Sequence, residues 1–217
     1  IRVRIGYPRD RLFGFYYPGD LLKMEQAGAE LVPFDSLADT RLPAVDGLFI
    51  GGGFPEIGME ELEANRTLRE EILAFIEQGG PVYAECGGLM YLSRSLTWNG
   101  RTCQMVGAIP GDAVMHERPQ GRGYARLHET GASPWPLLAG QGSDFAAHEF
   151  HYSSLENLEP GQLFAYEVRR GTGIDGRHDG IVINNLLASY THLRDVGGNH
   201  WTRRFVENVA RLKQTTG

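Results

Sequence analysis

Apolar positions along the chain change character about halfway, from short solid runs to alternation. Residues 3–5, 31–32 and 48–50 are compact apolar runs, the first closed by Gly6 and the last running straight into Gly51, Gly52 and Gly53. Runs of this kind, bounded by glycine, read as buried strands. Between the first two, Leu21, Leu22, Met24 and Ala27 follow Pro18 and Asp20, a residue suited to capping, and Gly28 stops the run. That pattern predicts a short helix. Residues 59–78 are rich in Glu, Leu, Ala and Arg, with Leu68, Ile72, Phe75 and Ile76 at helical spacing and Gly79 as a stop, so one continuous amphipathic helix is predicted there. Residues 82–84 form a fourth strand and lead without a spacer into Glu85, Cys86, Gly87 and Gly88 and the apolar turn 89–92. The expected geometry is strand, tight turn, helix.

From about residue 101 to residue 190 helical periodicity disappears. Runs at 103–109, 123–128, 163–168 and 181–183 alternate with Gly, Pro and Asp turns, which predicts an antiparallel, β-rich half. Asn184 and Asn185 separate 181–183 from 186–189, and Asn tolerates positive φ, so a two-residue hairpin is expected. A last helix carries Trp201, Phe205, Val209 and Leu212 on one face. The fold class is therefore α/β, a mainly parallel sheet flanked by helices with an antiparallel extension in the second half.

Composition narrows the function classes. The chain has 217 residues, enough for one large α/β domain, and carries 21 Lys plus Arg against 27 Asp plus Glu, a net charge of −6. With that balance and no basic stripe, nucleic acid is not an expected partner. No apolar run reaches the roughly 18 residues of a membrane span, so no membrane is expected either. Two cysteines, Cys86 and Cys103, make no disulfide framework and no zinc pattern, and the setting that fits is cytoplasmic. Glycine is the outlier: 29 residues, against roughly 15 at the usual frequency of about 7%. The excess sits in clusters between apolar runs, as at structural joints.

Cys86 is the leading chemical candidate. A turn residue between a strand end and a helix N-terminus projects above the carboxyl edge of the sheet, where helix amides favour a thiolate. Gly87 and Gly88 suit so tight a turn, and the Gly87 amide is placed to donate to an oxyanion. The competing reading is that Cys86 is a small buried hydrophobe, which is the reading preferred for Cys103. Gly51, Gly52 and Gly53 make a second joint on the same sheet edge, either an oxyanion wall or only a tight turn. There is no GxxxxGK[ST] and no GxGxxG, so a phosphate cradle is not expected. Among seven histidines, His192 lies just past a predicted strand end, a good address for a base. His148 and His151, in a strand with period two, point to opposite faces and make a poor chelate, and no metal site is expected. His116, His128, His178 and His200 are expected on the surface or in ordinary hydrogen bonds.

The order strand-Gly-Gly-Gly, strand-Glu-Cys-Gly-Gly, strand-Tyr-Thr-His resembles the class I (triad-type) glutamine amidotransferases, and within that class the glutaminase domains of the cobyrinic acid a,c-diamide synthase family of cobalamin biosynthesis. Five segments carry the resemblance and span nearly the whole chain: Phe15-Tyr16-Tyr17-Pro18, Gly51-Gly52-Gly53-Phe54-Pro55-Glu56, the stretch from Tyr83 through Cys86 to Leu92, His148-Glu149-Phe150-His151-Tyr152-Ser153, and Ala188-Ser189-Tyr190-Thr191-His192. The resemblance implies a flavodoxin-like single glutaminase domain over residues 1–217. It makes Cys86 the nucleophile, His192 the proton carrier, and amides near Gly52, Gly53 and Gly87 the oxyanion donors. His151, Tyr152 and Ser153 match a segment lining the glutamine pocket, or are ordinary strand residues.

Two positions depart from the wider class. The carboxylate usually found two residues after the histidine is Arg194 here, which leaves a dyad or an acid from elsewhere, with Asp195 and Glu85 as candidates; Glu85 is alternatively only an anchor of the turn. The Gln usually four residues after the nucleophile is Met90. The resemblance further implies no cofactor in this domain, with ATP and Mg belonging to an N-terminal synthetase domain that these residues do not include. Glutamine, that synthetase and, through it, a corrinoid carboxylate are the expected partners. Alternatives are a glutaminase serving cobyric acid, nickel-sirohydrochlorin or a cell-wall precursor, or a cysteine-elbow hydrolase that does not use glutamine.

Overall fold

The computed structural model describes residues 2–216. In chain order its elements are β1 (Val3–Pro8), β2 (Phe13–Phe15), α1 (Pro18–Gln26), β3 (Ala29–Phe34), β4 (Gly47–Ile50), β5 (Gly52–Gly53), α2 (Met59–Ala64), α3 (Arg66–Glu77), β6 (Val82–Glu85), α4 (Gly87–Leu92) and β7 (Ser93–Trp98). The second half adds β8 (Arg101–Gln104), β9 (Ile109–Met115), β10 (Gly121–Glu129), β11 (Asp144–His151), β12 (Ser153–Glu156), β13 (Leu163–Arg170), β14 (His178–Ile183), β15 (Leu186–Ser189) and α5 (Trp201–Thr216).

Nine strands form one sheet in the order β11-β10-β13-β14-β15-β6-β4-β1-β3. The five from β15 to β3 pair in parallel, and the other four are joined antiparallel. The expected mixture of parallel sheet and antiparallel extension is thus a single continuous sheet. β4, β6 and β15 are buried along their whole lengths, as strands covered on both faces must be. Leu68, Ile72 and Ile76 of α3 pack one face, and Trp201, Phe205 and Val209 of α5, with Met24 of α1, pack the other. A smaller sheet, β12-β9-β7-β8, lies beside the first layer, and β2 pairs with β5. Among the described residues no helix is long and apolar enough to cross a membrane.

Four local expectations are corrected. The helix read over 59–78 is broken at Asn65 (φ −82°, ψ 61°), whose side-chain amide donates to the carbonyls of Ser36 and Asp39. A side chain that ties a neighbouring loop pulls its backbone out of the helical register. Asp20 does not cap α1, which starts at Pro18; its buried carboxylate accepts from the Asp195 amide and the Trp201 indole instead. The run 103–109 is not one strand, because Gly107 (φ +81°) turns the chain between β8 and β9. The β-rich half begins at Ser93 rather than near residue 101, since β7 follows α4 directly.

Candidate active site

The site lies at the carboxyl ends of the parallel strands, where open α/β sheets place ligands. β6 ends at Glu85, and Cys86 holds φ +49° and ψ −100° before α4 begins. A non-glycine residue in that region stores about 1–3 kcal/mol, so the surroundings must hold it there. They do so through backbone. The Cys86 amide donates to the carbonyl of Ser189 on β15 and its carbonyl accepts from Met90. A Cβ on Gly88 would collide with the Ile50 carbonyl oxygen, and one on Gly87 would sit 2.8 Å from the Gly53 nitrogen. The glycine clusters 51–53 and 87–88 are therefore packed main chain against main chain, with Cys86 beside them, 9% exposed.

His192 follows the end of β15 and stands beside Cys86 and Glu85, its Nδ1 lying 3.4 Å from Glu85 Oε1. Gly52 lies against the same ring, since a Cβ there would be 3.2 Å from His192 Cε1. Glu85 is buried and accepts also from the Tyr83 hydroxyl and from the Leu193 amide at 2.9 Å. Burial pushes the Glu85 carboxyl up, yet the hydrogen bonds and charge of His192 together with Tyr83 and Leu193 hold it below its ordinary value. Burial likewise opposes charge on His192, and the hydrogen bonds to Cys86 and Glu85 outweigh it, raising the ring well above the usual imidazole value. Of the two candidate acids, Glu85 is the one beside His192. Asp195 is occupied elsewhere, accepting from Thr202 and pairing with Lys23 at 3.4 Å, where it fastens the loop to α1 and α5.

The antiparallel half closes the site. The backbones of His148 on β11 and His192 exchange two hydrogen bonds, 3.2 and 2.7 Å. Their rings stack at 5.1 Å with planes 12° apart, and His148 Nε2 meets the Tyr17 hydroxyl at 2.8 Å. Cys86 Sγ faces the Phe150 carbonyl at 3.9 Å. Two cavities meet at His192, one of about 300 Å³ between residues 14–17 and Phe150 and one of about 480 Å³ bordered by Tyr17, Tyr124, His148 and Arg194. The His151 ring is buried, with its nitrogens on Glu149 and the Ser153 carbonyl (2.9 Å each) and its face on Tyr190 at 4.0 Å. Ser153 Oγ is bonded to the Tyr190 hydroxyl at 2.9 Å, and Tyr152 is partly exposed against Phe150. Arg194, in the place of the wider class's carboxylate, lies over the Tyr17 ring at 4.9 Å. His148, Tyr17 and the Phe150 carbonyl are the neighbours that residue-by-residue reading passed over, although two of the five recognised segments contain them.

Residues 4–196 match the family described as the CobB/CobQ-like glutamine amidotransferase domain. The chain is 50% identical to the cobyrinate a,c-diamide synthase of Magnetococcus marinus over 92% of its own length and 42% of the relative's. For the enzyme of the same name from Archaeoglobus fulgidus the figures are 46% identity, 97% and 45%. The chain thus spans less than half the length of these relatives. Among solved structures, PurLQS from Thermotoga maritima superposes with a TM-score of 0.71 at 14% identity, covering 98% of this chain and 100% of that one. A glutamine amidotransferase from the same organism gives 0.59 at 11%, covering 100% and 86%. These distant likenesses bear on the fold alone and agree with its mixed sheet flanked by helices; the sequence matches place the chain in the CobB/CobQ-like glutamine amidotransferase domain family.

Proposed function

We propose that this chain is a single glutaminase domain, the ammonia-supplying part of an ATP-dependent amidoligase that acts on corrinoid carboxylates. The observation that carries the glutaminase reading is the line Cys86, His192, Glu85 on a strained turn packed against Gly52 and Gly53. In it, the Cys86 sulfur attacks the side-chain amide carbon of glutamine, its proton resting on His192. Main-chain amides around Gly52, Gly53 and Gly87 stabilise the resulting oxyanion. The carbon–nitrogen bond breaks, His192 gives its proton to the departing ammonia, and a γ-glutamyl thioester remains. Water, deprotonated by the same ring, releases glutamate and restores the thiol. Glu85 orients the imidazole and compensates its charge. His151 and Ser153, both tied inward, shape the junction of β11 and β12 that borders the glutamine pocket, and Tyr152 packs against Phe150 beside it.

The acceptor rests on the names of the sequence relatives, cobyrinate a,c-diamide synthases more than twice as long as the matched region. ATP and Mg then belong to a synthetase portion outside these residues. The test is glutamate release from glutamine. Cys86→Ser and His192→Ala are expected to lose at least about 10³-fold in kcat, as losses of groups that act as one unit do. Full activity in Cys86→Ser refutes the mechanism.

A further inference from the structure

Resting on the glutaminase reading above, we propose that His148 is a positioning residue for it, a flat ring that backs His192 and fixes the rotation of the imidazole between Cys86 and Glu85. His192 meets Glu85 at one edge and Cys86 at another, and Gly52 packs against Cε1. None of these contacts restrains a tilt of the ring out of its own plane. His148 does, because its ring lies parallel at 5.1 Å and is itself held at two points. The paired backbone bonds with His192 fix its Cα, and the Tyr17 hydroxyl holds its Nε2 at 2.8 Å. Arg194 over the Tyr17 ring completes the layer.

Charge supports the same role. The charged or titratable groups facing His148 are His192 and Arg194 after β15, Tyr17 before α1, Glu85 on β6, and Tyr124, its cross-strand partner on β10. Burial, then the positive charge of His192, then that of Arg194 depress His148, while Glu85 pulls the other way and the net shift is downward. The ring is therefore neutral where the catalytic imidazole is charged, and two stacked rings do not repel. Without it, the 480 Å³ cavity that both histidines line would open directly onto the face of His192. Water there would screen the attraction between His192 and Glu85.

The test measures kcat and KM for glutamine in this chain carrying His148→Ala, His148→Phe and His148→Asn, with thermal melting of each. Since a misplacement of about 1 Å can cost about 10²-fold, His148→Ala and His148→Asn are expected to lose about 10- to 100-fold in kcat with KM within about twofold. His148→Phe restores the flat neutral surface and is expected to stay within about threefold of the parent in kcat. A purely structural role would give no such rescue and no such split. Parental kcat in either ringless variant, a loss that falls in KM alone, or a His148→Phe chain that melts normally yet is as slow as the ringless ones overturns the proposal. If His148→Ala does not fold, His148→Asn and His148→Phe decide it. Loss of glutamate release in Cys86→Ser beside parental kcat in the ringless variants sinks this inference alone; full release in Cys86→Ser sinks the glutaminase reading with it.

Discussion

The parallel and antiparallel halves of the nine-stranded sheet do different work at the site. The parallel half supplies groups fixed by backbone: Glu85 and Cys86 at the end of β6, and the glycines that abut them. The antiparallel half supplies a cover, with β11 bringing His148 against His192 and the Phe150 carbonyl towards Cys86 Sγ. His192 stands at the seam, just past β15, bridged to His148 on one side and 3.4 Å from Glu85 on the other. Chemistry that depends on tenths of an ångström is built on buried parallel strands. Adaptable contacts are left to β10 and β11, whose outer positions, such as Tyr124 and Phe150, are half or more exposed.

Breaking the parallel side should be the more damaging. Gly88→Ala forces a methyl group into the Ile50 carbonyl, and overpacking of rigid backbone costs about 3 kcal/mol, to be read as a lower urea midpoint with unchanged slope. Glu85→Gln should lower kcat about 10²-fold, the scale seen when one preorganised electrostatic partner is lost. Its pH profile has a definite sign. The Glu85 carboxylate raises His192, so in the parent the protonated ring, and the activity, persist to pH well above the ordinary imidazole value. Removing that charge moves the alkaline limb of kcat/KM to lower pH; an unmoved limb would show that Glu85 only anchors the turn. On the antiparallel side, Phe150→Ala removes a half-exposed side chain and keeps the carbonyl. It should raise KM by about threefold and leave the melting temperature within about 1 °C, consistent with the small cost of surface changes.

The same division governs what could be read from sequence. Solid apolar runs ending in glycine clusters made β4, β6, the elbow and its order with respect to β15 legible, because local sterics dictate those joints. The break at Asn65 was not legible, since it depends on carbonyls of residues 36 and 39 brought near by folding. β7 was missed because its polar serines and arginine carry no clean alternation. Period two placed His148 and His151 on opposite faces, as observed, but not which face meets His192, 44 residues onward. Glu85 and Asp195 were equivalent on paper; a buried bond to Thr202 in one case and a 3.4 Å approach to His192 in the other separate them.

The adjacency of Glu85 and Cys86 has a mechanical consequence. Where nucleophile, base and acid come from three segments, each can drift against the other two, and alignment is lost along several independent coordinates. Here two of the three share a peptide unit at the end of one strand, so the assembly has a single joint, the contact between the β6 turn and the segment carrying His192. Any tightening or loosening of that joint changes both of the imidazole's bonds in step.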